Sequence, residues 1–319
     1  MKNLRKIFSV MLVGIATASM ITGCSSIGGQ AQKNNANDFS SNEKVVIKHE
    51  MGETELLAKP KRIVTLEYSF VDSLAALNIK PVGIADDNKS DILIKSIADK
   101  VGGYTSVGTR SQPNLEVISS LKPDLIIADL KRHKAIYEEL SKIAPTIVLK
   151  SLESSYDENI SSFKTVAEAV GEKDKAEARI KEHNDLIDSK RTELAFDSNK
   201  TVLSAALRDT FNAHASSSFD GQLLEKIGMK NAIQNNDSAY AELTLEQLVQ
   251  INPDVLLLMK SEDKTILEDW QENPLWKDLN AVKNNQVFIV DRNLWTRFRG
   301  VISGEEMIKE AVSLLKENK

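Results

Sequence analysis

Residues 291–300 read Asp-Arg-Asn-Leu-Trp-Thr-Arg-Phe-Arg-Gly and place Arg292, Arg297 and Arg299 within eight residues, with Trp295 among them. The chain has ten arginines against thirty-one lysines, so this concentration is selective. A guanidinium is a planar fork that grips carboxylate or phosphate oxygens in pairs, whereas lysine is a more hydrated point charge. The residue type points to an anion with paired oxygens. Taken alone, the stretch fits equally well a basic loop making surface ion pairs, which contribute little.

The other arginines strengthen the first reading. Arg110 follows a predicted strand at 106–109, Arg132 and His133 follow one at 125–129, and Arg208 follows one at 202–207. The cluster itself follows a strand at 287–290. In an open α/β layer, ligands sit beyond the carboxyl ends of the strands. Six of the nine arginines beyond residue 23 therefore occupy ligand positions, while Arg179 and Arg191 lie on a helical stretch. Six guanidiniums facing one cleft repel one another and lose hydration unless a polyanion fills it. His214, in a polar loop over 210–217, and Tyr240 are further candidate donors to a carboxylate, with incidental placement as the alternative. Tyr68, His133 and Trp295 either line the cleft or simply pack. Lys131 and Lys134 read as solvated charge. His49 and His183 lie away from strand-end loops and no histidine pair has ligand spacing, so the chain is not expected to ligate a metal directly. No nucleophile elbow, zinc-protease helix or phosphate loop occurs, so neither catalytic residues nor a cofactor are expected, with a secreted hydrolase as the remote rival.

The elements that must position these residues alternate. Residues 44–48 and 53–57 form an amphipathic hairpin pattern, 62–66 a buried strand, and 69–78 a helix with Phe70, Leu74 and Leu77 on one stripe. A return strand at 79–84 completes a β-α-β unit, the building block of parallel sheets. Further strands are expected at 124–128 and 146–149. An internal repeat at an offset of 130 matches residues 115–127 to 245–257, both running helix, Pro-Asp, strand. Two α/β lobes are expected, over 43–156 and 197–319. Between them, 157–196 is strongly helical apart from Gly171, and a helix over 173–196 would be about 35 Å long.

At the amino terminus, Lys2, Arg5 and Lys6 precede an apolar run at 7–20, the pattern of a secretory signal over 1–23. The four residues 21–24 resemble a bacterial lipobox, which implies lipidation of Cys24, the only cysteine. Residues 24–42, polar and poor in apolar groups, read as a flexible tether. Removing residues 1–23 takes three positive charges with it and turns the net charge from −5 to about −8. An acidic body argues against nucleic acid as partner.

The lipobox, the run at 113–127, its second copy and the linking helix together resemble substrate-binding lipoproteins of iron-siderophore ABC importers, over essentially everything from residue 44 onward. Within that class the chain is most similar to receptors for ferric citrate and citrate-type siderophores. The resemblance implies class III periplasmic-binding-protein architecture, two Rossmann-like lobes on one long helix. It also implies a monomeric, lipid-anchored extracytoplasmic receptor that grips the outer carboxylates of an Fe(III) chelate and delivers it to a permease. Receptors for catecholate or hydroxamate siderophores, haem or cobalamin are the alternatives. Members of the class carry one permease-docking glutamate per lobe; the matching positions are Glu116 and Glu246. Each also suits a helix amino terminus simply by opposing the dipole.

Overall fold

Short apolar runs, buried on both faces, read as strands of a covered parallel sheet. The computed structural model describes residues 44–89, 91–234, 237–260 and 264–317. The leader, Cys24 and the tether lie outside them. A hairpin of β1 (Val45–His49) and β2 (Gly52–Leu56) comes first. The first sheet is β3 (Ile63–Thr65), β4 (Gly83–Ile84), β5 (Thr105–Ser106), β6 (Leu125–Asp129) and β7 (Thr146–Leu149), all parallel, in the order β5-β4-β3-β6-β7. Its helices are α1 (Tyr68–Ala76), α2 (Lys95–Val101), α3 (Leu115–Ser120), α4 (Leu130–His133) and α5 (Tyr137–Ile143). The strand expected over 79–84 shortens to two residues because Pro81 has no N–H for the ladder. The α1 stripe becomes complete burial: every residue of α1 is buried, because the helix is wedged between neighbours on several sides.

Two helices follow, α6 (Tyr156–Ala169) and α7 (Lys173–Leu194), separated at Gly171, whose φ of 65° ends the first. The second sheet then gathers β8 (Thr201–Leu207), β9 (Phe211–His214), β10 (Lys230–Asn231), β11 (Tyr240–Leu243), β12 (Val255–Lys260) and β13 (Val287–Val290). Its order is β11-β9-β8-β12-β13, with β10 pairing the start of β8. It carries α8 (Phe219–Lys226), α9 (Leu245–Ile251), α10 (Ile266–Gln271), α11 (Pro274–Lys277) and α12 (Asn280–Lys283), and the chain ends in α13 (Val301–Glu317). The sequence repeat is a structural one: α3-β6 and α9-β12 put their strands at the same place, fourth in each order. The second sheet is mixed, since β9 and β11 run antiparallel to their neighbours. His214, expected in a loop, is therefore the last residue of β9.

The linking helix α7, of 22 residues and so about 33 Å long, ends at Leu194, where Ala195 turns left-handed at φ 43°. Ala176 near its start joins the first lobe's core, whereas Ile187 and Leu194 join the second's. The link does not act alone: α13 packs along α7 and also spans both cores, with Val301 and Ile302 in one and Met307 to Leu315 in the other. Asp72 of α1, fully buried, accepts the backbone N–H groups of Ile302 (3.0 Å) and Ser303 (2.8 Å) and so caps the amino end of α13 from the first lobe. Only glycine fits at Gly300, because a Cβ there would lie 2.3 Å from Asp72 Cγ. Among the described residues no helix is long and apolar enough to cross a membrane.

Glu305 of α13 clamps α7. It takes a bidentate pair of bonds from Arg179 (2.7 and 2.9 Å) and a contact from His183 Nδ1 (3.1 Å). Burial works against its charge, but the bonds and charges of His183 and Arg179 prevail and hold its pKa at about 2. A folded pKa below the unfolded one contributes stability above the unfolded value and loses it as pH falls through the folded one. Glu305→Gln is thus expected to cost about 2–3 kcal/mol at pH 7. Denaturant unfolding of both proteins should show this gap closing between about pH 4.5 and about pH 2; a gap independent of pH would rule the clamp out.

Candidate functional site

The carboxyl ends of both sheets face a shared cavity of about 370 Å³, within the range of small-molecule sites. It is lined by Arg110, Arg132, Arg208, His214, Tyr240, Arg292, Arg297 and Arg299, together with Leu152, Glu153, Ala206, Asn212 and Thr296. Every arginine read from a strand end thus reaches one place, with His214 and Tyr240.

Strand geometry explains the second-lobe wall. Asn212 and His214 alternate on β9 and so share a face. Tyr240 is the directly paired residue opposite His214, and the rings meet edge to face at 4.8 Å. His214 Nδ1 lies 2.9 Å from both oxygens of the buried Asp220 carboxylate, which also accepts from Ser204 (2.6 Å) and Ser218 (3.0 Å). Burial pushes the Asp220 carboxyl up, but the charge and bonds of His214, then Ser204 and Ser218, bring it below its ordinary value. An ionised Asp220 requires the proton on Nδ1, so Nε2 is the ring nitrogen it leaves for other partners.

The segment after β13 supplies the remaining wall in an unexpected way. Residues 293–297 form a π-helical turn, after which Phe298 is extended. Phe298 inserts into the first lobe's core and stacks on Tyr68 at 5.1 Å. Successive residues of an extended chain point oppositely, so burial of Phe298 turns Arg297 and Arg299 to the cavity. Arg299 is 8% exposed; burial disfavours its charge, but Tyr240 and Glu67 more than compensate and raise its pKa. Arg299 donates to the Thr296 carbonyl (3.1 Å).

The three doubtful aromatic and histidine candidates all pack. Tyr68 is fully buried, with the Arg110 guanidinium 4.1 Å above its ring. Trp295 is buried in the second lobe's core and donates to Glu310 (2.5 Å). His133 is fully buried; its Nδ1 accepts from the Asp129 N–H (2.9 Å), so Nε2–H donates to the Arg110 carbonyl (2.7 Å). Burial lowers its pKa, consistent with this neutral form. Lys131, expected to be merely solvated, pairs with Glu153 (2.9 Å).

Carboxylates missed in the sequence organise the arginines. Glu67, fully buried at the start of α1, accepts Arg110 Nη1 on one oxygen (2.8 Å) and Arg132 Nε on the other (2.7 Å), and caps Tyr68 N–H (3.1 Å). Asp87 accepts the Arg110 N–H, Nε and Nη2 (3.0, 3.1 and 2.9 Å) and Arg297 Nη1 (3.2 Å). The expectation that only a polyanion in the cleft offsets the repulsion among the arginines is thereby corrected: the chain supplies part of the compensation itself. Both acids follow strands, β3 and β4, so the strand-end rule that found the arginines would have found them too. Six guanidiniums against these two carboxylates still leave an excess of positive charge. Among the described residues no group of three or more His, Cys, Asp or Glu could hold a metal ion.

Glu116 and Glu246 lie elsewhere, exposed in the first turns of α3 and α9, at matching places in the repeat. Asn114 and Thr244 cap those helices, leaving the two glutamates no capping duty of their own.

Burial raises the Glu67 carboxyl, but Arg110 and Arg132 outweigh it and hold it below the usual range. The triad is therefore intact at neutral pH and is lost as pH falls below that of ordinary glutamates. Glu67→Gln is expected to lower stability by about 3 kcal/mol at pH 7, because it removes the carboxylate partner of Arg132 and one of the two carboxylates that hold the buried Arg110. Thermal unfolding from pH 7 to 3 checks it, and equal stability of both proteins at pH 7 would sink it.

A model of the periplasmic binding protein family matches residues 63–294. The Fe(3+)-citrate-binding protein YfmC of Bacillus subtilis is 48% identical over 309 residues, covering 96% of each chain. The Fe(3+) dicitrate-binding periplasmic protein FecB of Escherichia coli is 36% identical, over 84% of this chain and 89% of its own. Staphylococcus aureus SirA, solved in complex with staphyloferrin B, superposes with a TM-score of 0.75 at 29% identity, over 85% of this chain and 98% of that one.

Proposed function

The chain belongs to the periplasmic binding protein family, and from that premise we propose that it is an extracytoplasmic receptor for an anionic Fe(III) chelate, ferric citrate or a carboxylate siderophore. The observation that carries this is the convergence of six arginines, His214 and Tyr240 on one cavity of about 370 Å³. Fe(III) is a hard cation whose oxygen chelates present carboxylates outward. Charge-assisted hydrogen bonds from fixed guanidiniums recognise those oxygens with no protein atom on the iron. The relatives named for ferric citrate support this ligand class. In this reading the protein binds and releases without altering its ligand.

Delivery requires a second partner. Glu116 and Glu246 are two exposed carboxylates on the two lobes, and α7, α13 and the Glu305 clamp restrict how their separation can vary. They would present a two-point electrostatic key to arginines of an ABC permease. Cys24 would carry the lipid that keeps the receptor, a monomer on its tether, at the membrane.

Tryptophan-fluorescence titration of residues 25–319 with Fe(III)-citrate, a ferric citrate-type siderophore, a tris-catecholate, a tris-hydroxamate, haem and cobalamin tests the ligand class. Fe(III)-citrate or a citrate-type siderophore is expected to bind best, and Arg297→Ala or Arg299→Ala to weaken it at least thirtyfold, from about 2 kcal/mol or more per truncated buried charge. Tightest binding of the hydroxamate, or indifference to both substitutions, refutes the assignment. Glu116→Ala with Glu246→Ala should leave that affinity unchanged while cutting iron uptake by cells; unimpaired uptake would remove both from the docking surface.

A further inference from the structure

Asp87 sits among the site's arginines, yet the arginine it touches most does not depend on it. Arg110 is held without it: Nη1 on the buried Glu67, the guanidinium over the Tyr68 ring, and the backbone carbonyl on His133. Arg297 is different. Asp87 is its one ion-pair partner among the described residues, at 3.2 Å, and its Nε is buried with no hydrogen-bond partner. The same Asp87 oxygen, Oδ2, serves Arg110 Nη2 and Arg297 Nη1 together. That is the seat a ligand carboxylate would take.

The backbone is shaped to hold this carboxylate there. Asp87 and Asn88 are both left-handed, at φ 58° and 55°, a conformation that costs most residues energy and that Asp and Asn tolerate best. The turn is tied by Asn88 N–H donating to Asp86 (3.0 Å), while Asp86 also receives Tyr104 and Ser106. The Asp87 side chain keeps 21% of its surface exposed, against none for Glu67. Glu67 is sealed in as support; Asp87 stands at the solvent side.

We propose that Asp87 is a specificity-determining residue, a carboxylate of the chain itself that holds the seat between Arg110 and Arg297 and yields it only to a ligand carboxylate. A tethered group competes at high effective concentration. A single small carboxylate gains too little from Arg297 alone to displace it. A multiply charged chelate that reaches Arg132 and Arg299 at the same time recovers the loss elsewhere. The residue thus filters for polyanions. This rests on the reading that the cavity takes an anionic ferric chelate, but its measurable consequence does not need iron.

The test compares wild type, Asp87→Asn and Asp87→Ser for binding of Fe(III)-citrate, iron-free citrate and sulfate. Both substitutions are expected to tighten citrate and sulfate about tenfold, to tighten Fe(III)-citrate less, and so to shrink the preference for the chelate. Arg297→Ala combined with Asp87→Asn should abolish the gain. Affinities unchanged or weaker in both variants would show that Asp87 supports the arginines and would overturn the proposal, as would loss of the wild-type thermal transition in both. Wild type that binds sulfate but no ferric chelate would refute the iron reading, while the variant-to-wild-type ratio on sulfate still decides the role of Asp87.

Discussion

A cavity built from six guanidiniums is a folding problem before it is a binding site. Arg110 and Arg299 give up hydration and all six cations repel one another, so the chain must supply compensation that does not also fill the space. Glu67 meets that requirement. It is fully buried, it engages Arg110 with one oxygen and Arg132 with the other, and its place before the first N–H of α1 gives the carboxylate a helix terminus as well. Compensation comes from behind the arginines, and their outer edges stay available. Tyr68 beneath Arg110 acts in the same sense, through its ring face.

The frame that carries these groups is unusually well tied. The chain crosses between the lobes through α6 and α7, and it crosses again after β13, where Phe298 anchors in the first lobe while α13 returns to the second. Asp72, capping α13 from α1, and Glu305, holding α7 from α13, bind these crossings to each other. Preorganisation follows. Arginines held by buried carboxylates on a doubly connected frame lose little freedom when a ligand arrives, which is where affinity in charged sites is otherwise spent.

Much of this was legible in the sequence, and the reasons are specific. Residues 146–149 and 287–290 become β7 and β13 as read, because uninterrupted β-branched and apolar runs between turn residues have one sensible fate. The arginines were found because the residue is scarce here, ten in 319, so its placement carries information. Carboxylates are not scarce: with 46 of them, Glu67 and Asp87 look like surface charge. His214 was misplaced in a loop because Phe211–His214 is short and polar, and only its pairing with β8 and β11 makes it a strand. Long-range pairing of that kind has no local signature.

The crossing segment also changes what kind of clamp this is. From sequence, 291–300 reads as the second lobe's half of a two-jawed grip. With Phe298 locked against Tyr68, and Arg297 paired to Asp87, the outer part of that segment belongs mechanically to the first lobe. Arg110, Arg132, Arg297 and Arg299 are then tied to the first lobe, and the facing wall is Arg208, just past β8, with His214 on β9 and Tyr240 on β11. On that wall Asp220 holds Nδ1 of His214 and the Tyr240 ring meets the imidazole edge to face, so the second lobe faces the cavity with hydrogen-bonding groups as well as charge.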